Sequence, residues 1–187
     1  DYRTTYEHSL TDPESFGRQA SQLVHWDRKP SVILDDSRAP LYRWFSDGRL
    51  NTSFNMLDRH VIDGRGDQAA IIHESAYTGI TTTVTYAELL EKVARFAGAL
   101  RLCGVETGDR VIIYMPMVPE AVVAMLACAR IGAVHSVVFG GFAPAELAAR
   151  IDDATPSLIV TASCGIEPNR IVEYKPMVDA AIELADH

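Results

Sequence analysis

Apolar residues fall into two regimes along this chain. Up to about residue 60 they are scattered among polar residues, prolines and glycines, and from residue 61 they recur with clear periods. In the second regime Leu89, Leu90, Val93, Phe96, Ala97 and Leu100 return at helical spacing. They stand behind Thr85-Tyr86-Ala87-Glu88, which has the T-x-x-E form of a capping box, and Gly104 is placed to end the helix as a left-handed cap. Ahead of this helix, residues 69–73 and 82–85 predict short strands around a polar loop that holds Gly79. Behind it, Thr107-Gly108-Asp109 makes a turn and residues 110–115 predict a buried strand centred on Val111-Ile112-Ile113-Tyr114. Pro119 opens a helix that is small and apolar on nearly every side from Ala121 to Ala129, and Gly132 closes it. A helix without a polar face is buried between layers. A strand at 134–139 follows, then a helix from Pro144 to about Asp153 with Leu147, Ala148 and Ile151 as its apolar members. A strand at 157–161 and a helix from about Pro176 to Leu184 complete the pattern.

Strands and helices alternating over short links predict an α/β fold with parallel strands and right-handed crossovers. The sheet reads as incomplete, because strands this hydrophobic would leave a bare edge. The first regime reads differently. Thr11-Asp12-Pro13-Glu14 predicts a helix start of the T-x-x-E type with a proline in the first turn, running to about His25. Beyond it Trp26, Pro30, Pro40, Trp44 and Gly48 are separated by short polar pieces, with both tryptophans as anchors. The fold class is therefore α/β: an incomplete, mostly parallel sheet flanked by helices, preceded by an irregular helical N-terminal segment. Residues 1–60 form a wrapping segment and residues 61–187 the regular domain.

The 187 residues are 48% hydrophobic and 22% charged, enough to bury a real core. A net charge of -8 without a basic run argues against nucleic acid or an anionic membrane as partner, while leaving room for a small anionic molecule beside a local cation. No apolar run approaches the ~20 residues of a spanning helix. The first residues, Asp1-Tyr2-Arg3, lack the regions of a signal peptide and include no initiator methionine. Cys103, Cys128 and Cys164 show no CxxC spacing and read as free thiols packed as small hydrophobes, which fits a reducing compartment. The six histidines form no HxxxH or HExxH pattern, so no metal site is expected.

Two places invite a ligand. The run Val134-His135-Ser136-Val137-Val138 ends in Phe139-Gly140-Gly141-Phe142, a glycine corner at the carboxyl end of a strand, where open α/β sheets hold ligands. The glycines let a ligand approach the backbone and the aromatic faces suit a ring, although a tight packing turn would use the same residues. The second place is the loop 162–170, which carries Gly165, Pro168 and Arg170 and lies beside the corner if strands 134–139 and 157–161 are neighbours. A guanidinium there suits a phosphate next to a purine. The alternative is a solvated loop whose Arg170 pairs with Glu167 or Glu173. The sequence holds no GxxxxGK[ST], GxGxxG or GxSxG motif. Asp152-Asp153 reads as a solvated face and His135 as a hydrogen-bonded core histidine, so no catalytic constellation is visible.

Several of these segments are specific together. Trp44-Phe45-x-x-Gly48-x-Leu50-Asn51-x-x-x-Asn55-x-Leu57-Asp58-Arg59-His60 resembles the end of the N-terminal region of acetyl- and propionyl-CoA synthetases. The resemblance extends to Arg65-Gly66-Asp67, Tyr114-Met115-Pro116-Met117-x-Pro119-Glu120-Ala121, the segment from Met125 to Ala133 and the Phe139-Gly140-Gly141-Phe142 corner. Gly165-Ile166-Glu167-Pro168-x-Arg170-x-Val172-Glu173-Tyr174 looks most like the propionyl-CoA synthetase branch. The resemblance implies an adenylate-forming acid–thiol ligase that joins propionate or acetate to AMP with ATP and Mg²⁺ and passes the acyl group to CoA. It implies that Phe139, Gly140 and Gly141 form the wall against the CoA adenine. It further implies that Glu167, Pro168, Asn169 and Arg170 form the loop at the nucleotide end, with Arg170 on the 3′-phosphate. Asn169 departs from the usual glycine, and Glu167 stands where acetyl-specific relatives carry a second arginine.

The family's ATP loop, acyl pocket and adenylation lysine match nothing before residue 187. The resemblance thus implies an N-terminal fragment, inactive alone, with no catalytic residue and no cofactor of its own. Its partners would be the small-molecule substrates and the remainder of its own chain, in the cytoplasm or alternatively the mitochondrial matrix. A non-catalytic nucleotide- or CoA-binding module, or an interaction domain, is the competing reading.

Overall fold

The computed structural model describes residues 1–167 and 170–187, which divide into two compact units, 1–51 and 52–187. In the first unit helix α1 (Tyr2–Thr11), which the sequence pattern does not announce, is capped by Asp1, whose carboxylate accepts from Thr4 N at 3.0 Å. Helix α2 (Pro13–Ala20) begins one residue later than the T-x-x-E pattern predicts. Asp12 is its cap and accepts from Ser15 N at 3.0 Å, while Thr11 still belongs to α1 and donates its hydroxyl to the Glu7 carbonyl. The helix gives way to a tight turn at Ser21–Leu23 instead of reaching His25. Two-residue strands β1 (Leu34–Asp35) and β2 (Arg43–Trp44) pair antiparallel. Both tryptophans lie on glycines: a methyl group at Gly17 would meet Trp44 at 2.6 Å, and one at Gly48 would meet Trp26 at 2.6 Å. Asp47 ties the loop together, accepting from the Ser31 amide and hydroxyl and from the Val32 amide.

The second unit opens with wide helical turns at Phe54–Asp58 and Val61–Arg65. Strands β3 (Ala69–Ser75) and β4 (Ile80–Thr85) form an antiparallel hairpin turning through Gly79 at φ +67°. Helix α3 (Tyr86–Leu102) carries the capping box as predicted: Thr85 Oγ1 accepts from Glu88 N at 3.2 Å and Glu88 Oε2 from Thr85 N at 2.8 Å. Strand β5 (Arg110–Tyr114), helix α4 (Pro119–Ile131), strand β6 (Val134–Val138), helix α5 (Pro144–Ala154) and strand β7 (Leu158–Thr161) follow. The three strands are parallel in the order β6-β5-β7. Val111, Ile112, Ile113 and Tyr114 are fully buried, as a central strand covered on both faces requires. Val111 joins a cluster with Leu89, Val93, Val123 and Ala127 of α3 and α4. Ile112 and Tyr114 join another with Leu147, Ile151, Tyr174 and Val178 on the other side.

The architecture is α/β, and several details depart from expectation. Strands β6 and β7 are not neighbours, because β5, the most apolar of the three, takes the centre. The segment expected as a loop carries strands instead: β8 (Cys164–Glu167) and β9 (Arg170–Glu173) pair antiparallel with Ile166 opposite Ile171, followed by helix α6 (Tyr174–Leu184). His135 is exposed on the outer strand β6 and not in the core. Of the cysteines only Cys128 is buried, and desolvation pushes its thiol up to about 11; Cys103 and Cys164 are exposed. Asp152 also does more than face solvent, since its Oδ1 accepts from Asp186 N at 2.8 Å and His187 N at 3.2 Å.

Candidate functional site

The carboxyl ends of β6, β5 and β7 lead into the glycine corner, the Pro116 turn and the β8–β9 hairpin, respectively. At the corner the Phe139 and Phe142 rings lie 5.9 Å apart, edge to face, and the Arg150 guanidinium sits 5.1 Å from the Phe142 ring centre. Phe139 is 71% exposed, a flat aromatic face offered to solvent. A methyl group at Gly141 would fall 2.5 Å from the Phe139 ring, so glycine here lets that ring fold back on the backbone.

The corner and the hairpin meet on one residue that the sequence pattern did not single out. Tyr174, at the start of α6, is buried and lies against Tyr114, ring centres 5.0 Å apart. Tyr114 donates its hydroxyl to the Phe142 carbonyl at 2.7 Å, fixing the far side of the corner. A methyl group at Gly140 would collide with the Tyr174 hydroxyl and lie 2.9 Å from Cζ; one at Gly165 would lie 2.8 Å from Cε2 of the same ring. Two glycines on separate elements thus leave room for one phenol ring. Burial raises the pKa of both tyrosines, with the nearby charge of Glu167 adding to the shift at Tyr174. Both stay neutral at physiological pH.

Arg170 heads β9 directly opposite Glu167 and donates Nε to its Oε2 at 2.8 Å, as one of the two sequence readings expects. Both side chains are solvated, 72% and 47% exposed, and the carboxylate raises the arginine pKa further. That bond uses Nε alone. No described residue takes a hydrogen bond from the two terminal nitrogens, which leaves the fork that grips a phosphate available. Pro168 and Asn169, the other two residues expected in this loop, lie outside the described residues. Among the described residues no group of three His, Cys, Asp or Glu side chains could hold a metal ion, and no helix is long and apolar enough to cross a membrane.

Comparison with known proteins matches two family descriptions along the chain. Residues 2–56 match the family described as "Acetyl-coenzyme A synthetase N-terminus", and residues 58–186 match "AMP-binding enzyme". The chain belongs to the AMP-binding enzyme family. Over 186 residues it is 55% identical to an uncharacterized protein of Pseudomonas aeruginosa, covering all of this chain and 30% of that one. It is 48% identical over its whole length to "Acyl-CoA synthetase short-chain family member 3, mitochondrial" of Homo sapiens, covering 27% of that protein. Over 165 residues, 88% of this chain and 25% of the relative, it is 53% identical to "Acetyl-coenzyme A synthetase" of Pasteurella multocida. The chain therefore spans at most about a third of the length of these curated relatives.

Proposed function

We propose that this chain is the N-terminal part of an ATP-dependent short-chain acyl-CoA synthetase, and that it supplies the surface for the nucleotide end of CoA. In the whole protein a propionate or acetate oxygen attacks the α-phosphorus of ATP and pyrophosphate leaves. The CoA thiol then attacks the acyl carbonyl, loses its proton, and AMP departs, giving the acyl thioester. Mg²⁺ would screen the phosphates of ATP in the first step. Residues 1–60 act as the family's N-terminal wrapping segment and 61–187 as the first part of its large domain. The enzyme works in the cytoplasm, or alternatively in the mitochondrial matrix; the mammalian relative is named as mitochondrial.

The observation that carries this reading is the convergence of the aromatic glycine corner and the Arg170 hairpin on Tyr174, at the carboxyl end of a parallel sheet. An exposed aromatic face suits adenine, and an arginine fork suits the 3′-phosphate. Phe139, Gly140 and Gly141 would face the base, with Glu167, Pro168, Asn169 and Arg170 around the phosphate. The test is Arg170→Ala in the full-length enzyme. KM for CoA is expected to rise about tenfold, the low end for a charge-assisted phosphate contact because the guanidinium is solvated. Carboxylate-dependent ATP–pyrophosphate exchange, which needs no CoA, stays close to wild type. With dephospho-CoA the two enzymes should scarcely differ, and a variant that still discriminates CoA from dephospho-CoA overturns the assignment.

A further inference from the structure

Tyr174 is the residue whose position the proposed site depends on most, and its contacts suggest a role beyond packing. Its ring separates two backbones that approach it only because neither carries a side chain: Gly140 at the corner and Gly165 in β8. Its hydroxyl makes no hydrogen bond among the described residues, so what that oxygen contributes is bulk against Gly140. The other side of the ring lies on Tyr114, itself fully buried and bonded to the Phe142 carbonyl. Tyr174 is also the residue directly after β9 and the first of α6, so it joins the end of the strand that Arg170 begins to the helix, and its amide donates to the Ser163 carbonyl at 3.1 Å. One side chain thus touches the corner, and one backbone carries the hairpin.

We infer that Tyr174 is a positioning residue that sets the spacing between the aromatic corner and the Arg170 hairpin, and so tunes affinity for the nucleotide end of CoA without touching it. The inference rests on the CoA reading above. A ligand that bridges two surfaces loses affinity steeply when their separation is wrong, even if each surface is intact. The spacer here is a rigid ring wedged between two positions that admit no Cβ. Residues that share a contact in this way give coupled, not multiplicative, effects on mutation.

The test is a suppressor experiment in the full-length enzyme, using Gly140→Ala, Tyr174→Phe, the double variant and Arg170→Ala. The added methyl of Gly140→Ala meets the Tyr174 hydroxyl first, then Cζ at 2.9 Å and Cε1 at 3.0 Å. It must push the corner away from the ring. KM for CoA is expected to rise by roughly tenfold or more, with ATP–pyrophosphate exchange changing much less. Tyr174→Phe alone, which removes an oxygen with no hydrogen bond, should change KM by less than about threefold. In the double variant the worst collision is gone while the 2.9 Å approach to Cζ remains, and KM should fall back at least about threefold from the Gly140→Ala value toward that of Tyr174→Phe alone. If the two changes multiply instead, the proposal is wrong. If the double variant recovers only melting temperature and KM for CoA never moved in Gly140→Ala, Tyr174 is a folding residue and the proposal is again wrong. Should Arg170→Ala leave CoA discrimination untouched while the coupling in KM persists, the Arg170 assignment fails and the positioning role of Tyr174 stands.

Discussion

Arg170 and Glu167 already hold one another at 2.8 Å, so a phosphate arriving at Arg170 must share it with a carboxylate of its own charge sign. Glu167→Gln removes that repulsion and loosens the bond that occupies Nε. Because both groups are well exposed, the gain is modest: KM for CoA should fall about twofold to fivefold, as for other solvated ion pairs. The gain should vanish with dephospho-CoA, and an equal gain with both forms would show that Glu167 acts on something other than the 3′-phosphate. At this scale the sequence made the Arg170–Glu167 pair legible, because a charged side chain seeks an opposite charge within reach. Arginine and paired glycines announce what they offer, and Arg170 pairs with Glu167 as one reading expected. Tyr174 was not readable, because its role exists only once Gly140 and Gly165, from two separate elements, close on one ring. Cysteines divide by the same logic. Type alone suggested three buried thiols, yet only Cys128 is enclosed, and its thiol is pushed up to about 11. A maleimide should label Cys103 and Cys164 in the native protein and Cys128 only after denaturation, as peptide mass mapping would read.

Two copies of the pattern T-x-x-E gave opposite outcomes, which shows what an element's start depends on. At Thr85 the residue before the helix is extended and its hydroxyl is free to turn inward, so the reciprocal cap forms. At Thr11 the chain is still helical, and the non-helical residue is Asp12, which takes the cap by its own carboxylate. Thr85→Ala should cost about 1 kcal/mol, as cap removals do, and lower the melting temperature by about 2–4 °C for a chain of this size. The α3, α4 and α5 elements were legible because long periodic faces average over local accidents. The β8–β9 hairpin was not: its strands have four residues each, and their Gly, Pro and Asn signals outweigh so short an alternation. Asp47 offers a test of the irregular N-terminal unit. Hydrogen bonds from the Ser31 side chain and from the Val32 and Ser31 amides hold its carboxyl down to about 2 from 3.8. A depressed folded pKa means that the stabilisation is complete above the unfolded value and fades as pH falls toward the folded one. Tryptophan emission, which comes wholly from Trp26 and Trp44 of this unit, should therefore report loosening between about pH 4 and pH 2. Asp47→Asn should flatten that transition, and an unchanged profile would assign it to other carboxylates.

The whole 187-residue chain carries surfaces that its own elements leave uncovered. Strand β6 is an outer strand of the parallel sheet, with Val134 and Val137 54% and 52% exposed and Phe139 71% exposed just beyond. Parallel strands are normally buried on both faces, and an uncovered edge with apolar side chains is a template for pairing. Among the described residues no element pairs with the outer edge of β6. The sequence holds no GxxxxGK[ST] loop, and this chain alone is expected not to support carboxylate-dependent ATP–pyrophosphate exchange; exchange by the pure chain would relocate the chemistry. The exposed strand makes a sharper prediction about the chain in isolation. Hydrophobic edges pair with whatever strand is at hand, and in a pure solution that is another copy. Sedimentation velocity should therefore show reversible, concentration-dependent association. Val134→Lys with Val137→Lys should shift it toward monomer, because charges on an edge strand block pairing and both side chains already reach solvent. Circular dichroism should change little in the double variant, since neither valine belongs to the buried clusters. A wild-type chain that stays monomeric at every concentration, or a double variant that associates as strongly, would mean that β6 is not a pairing surface.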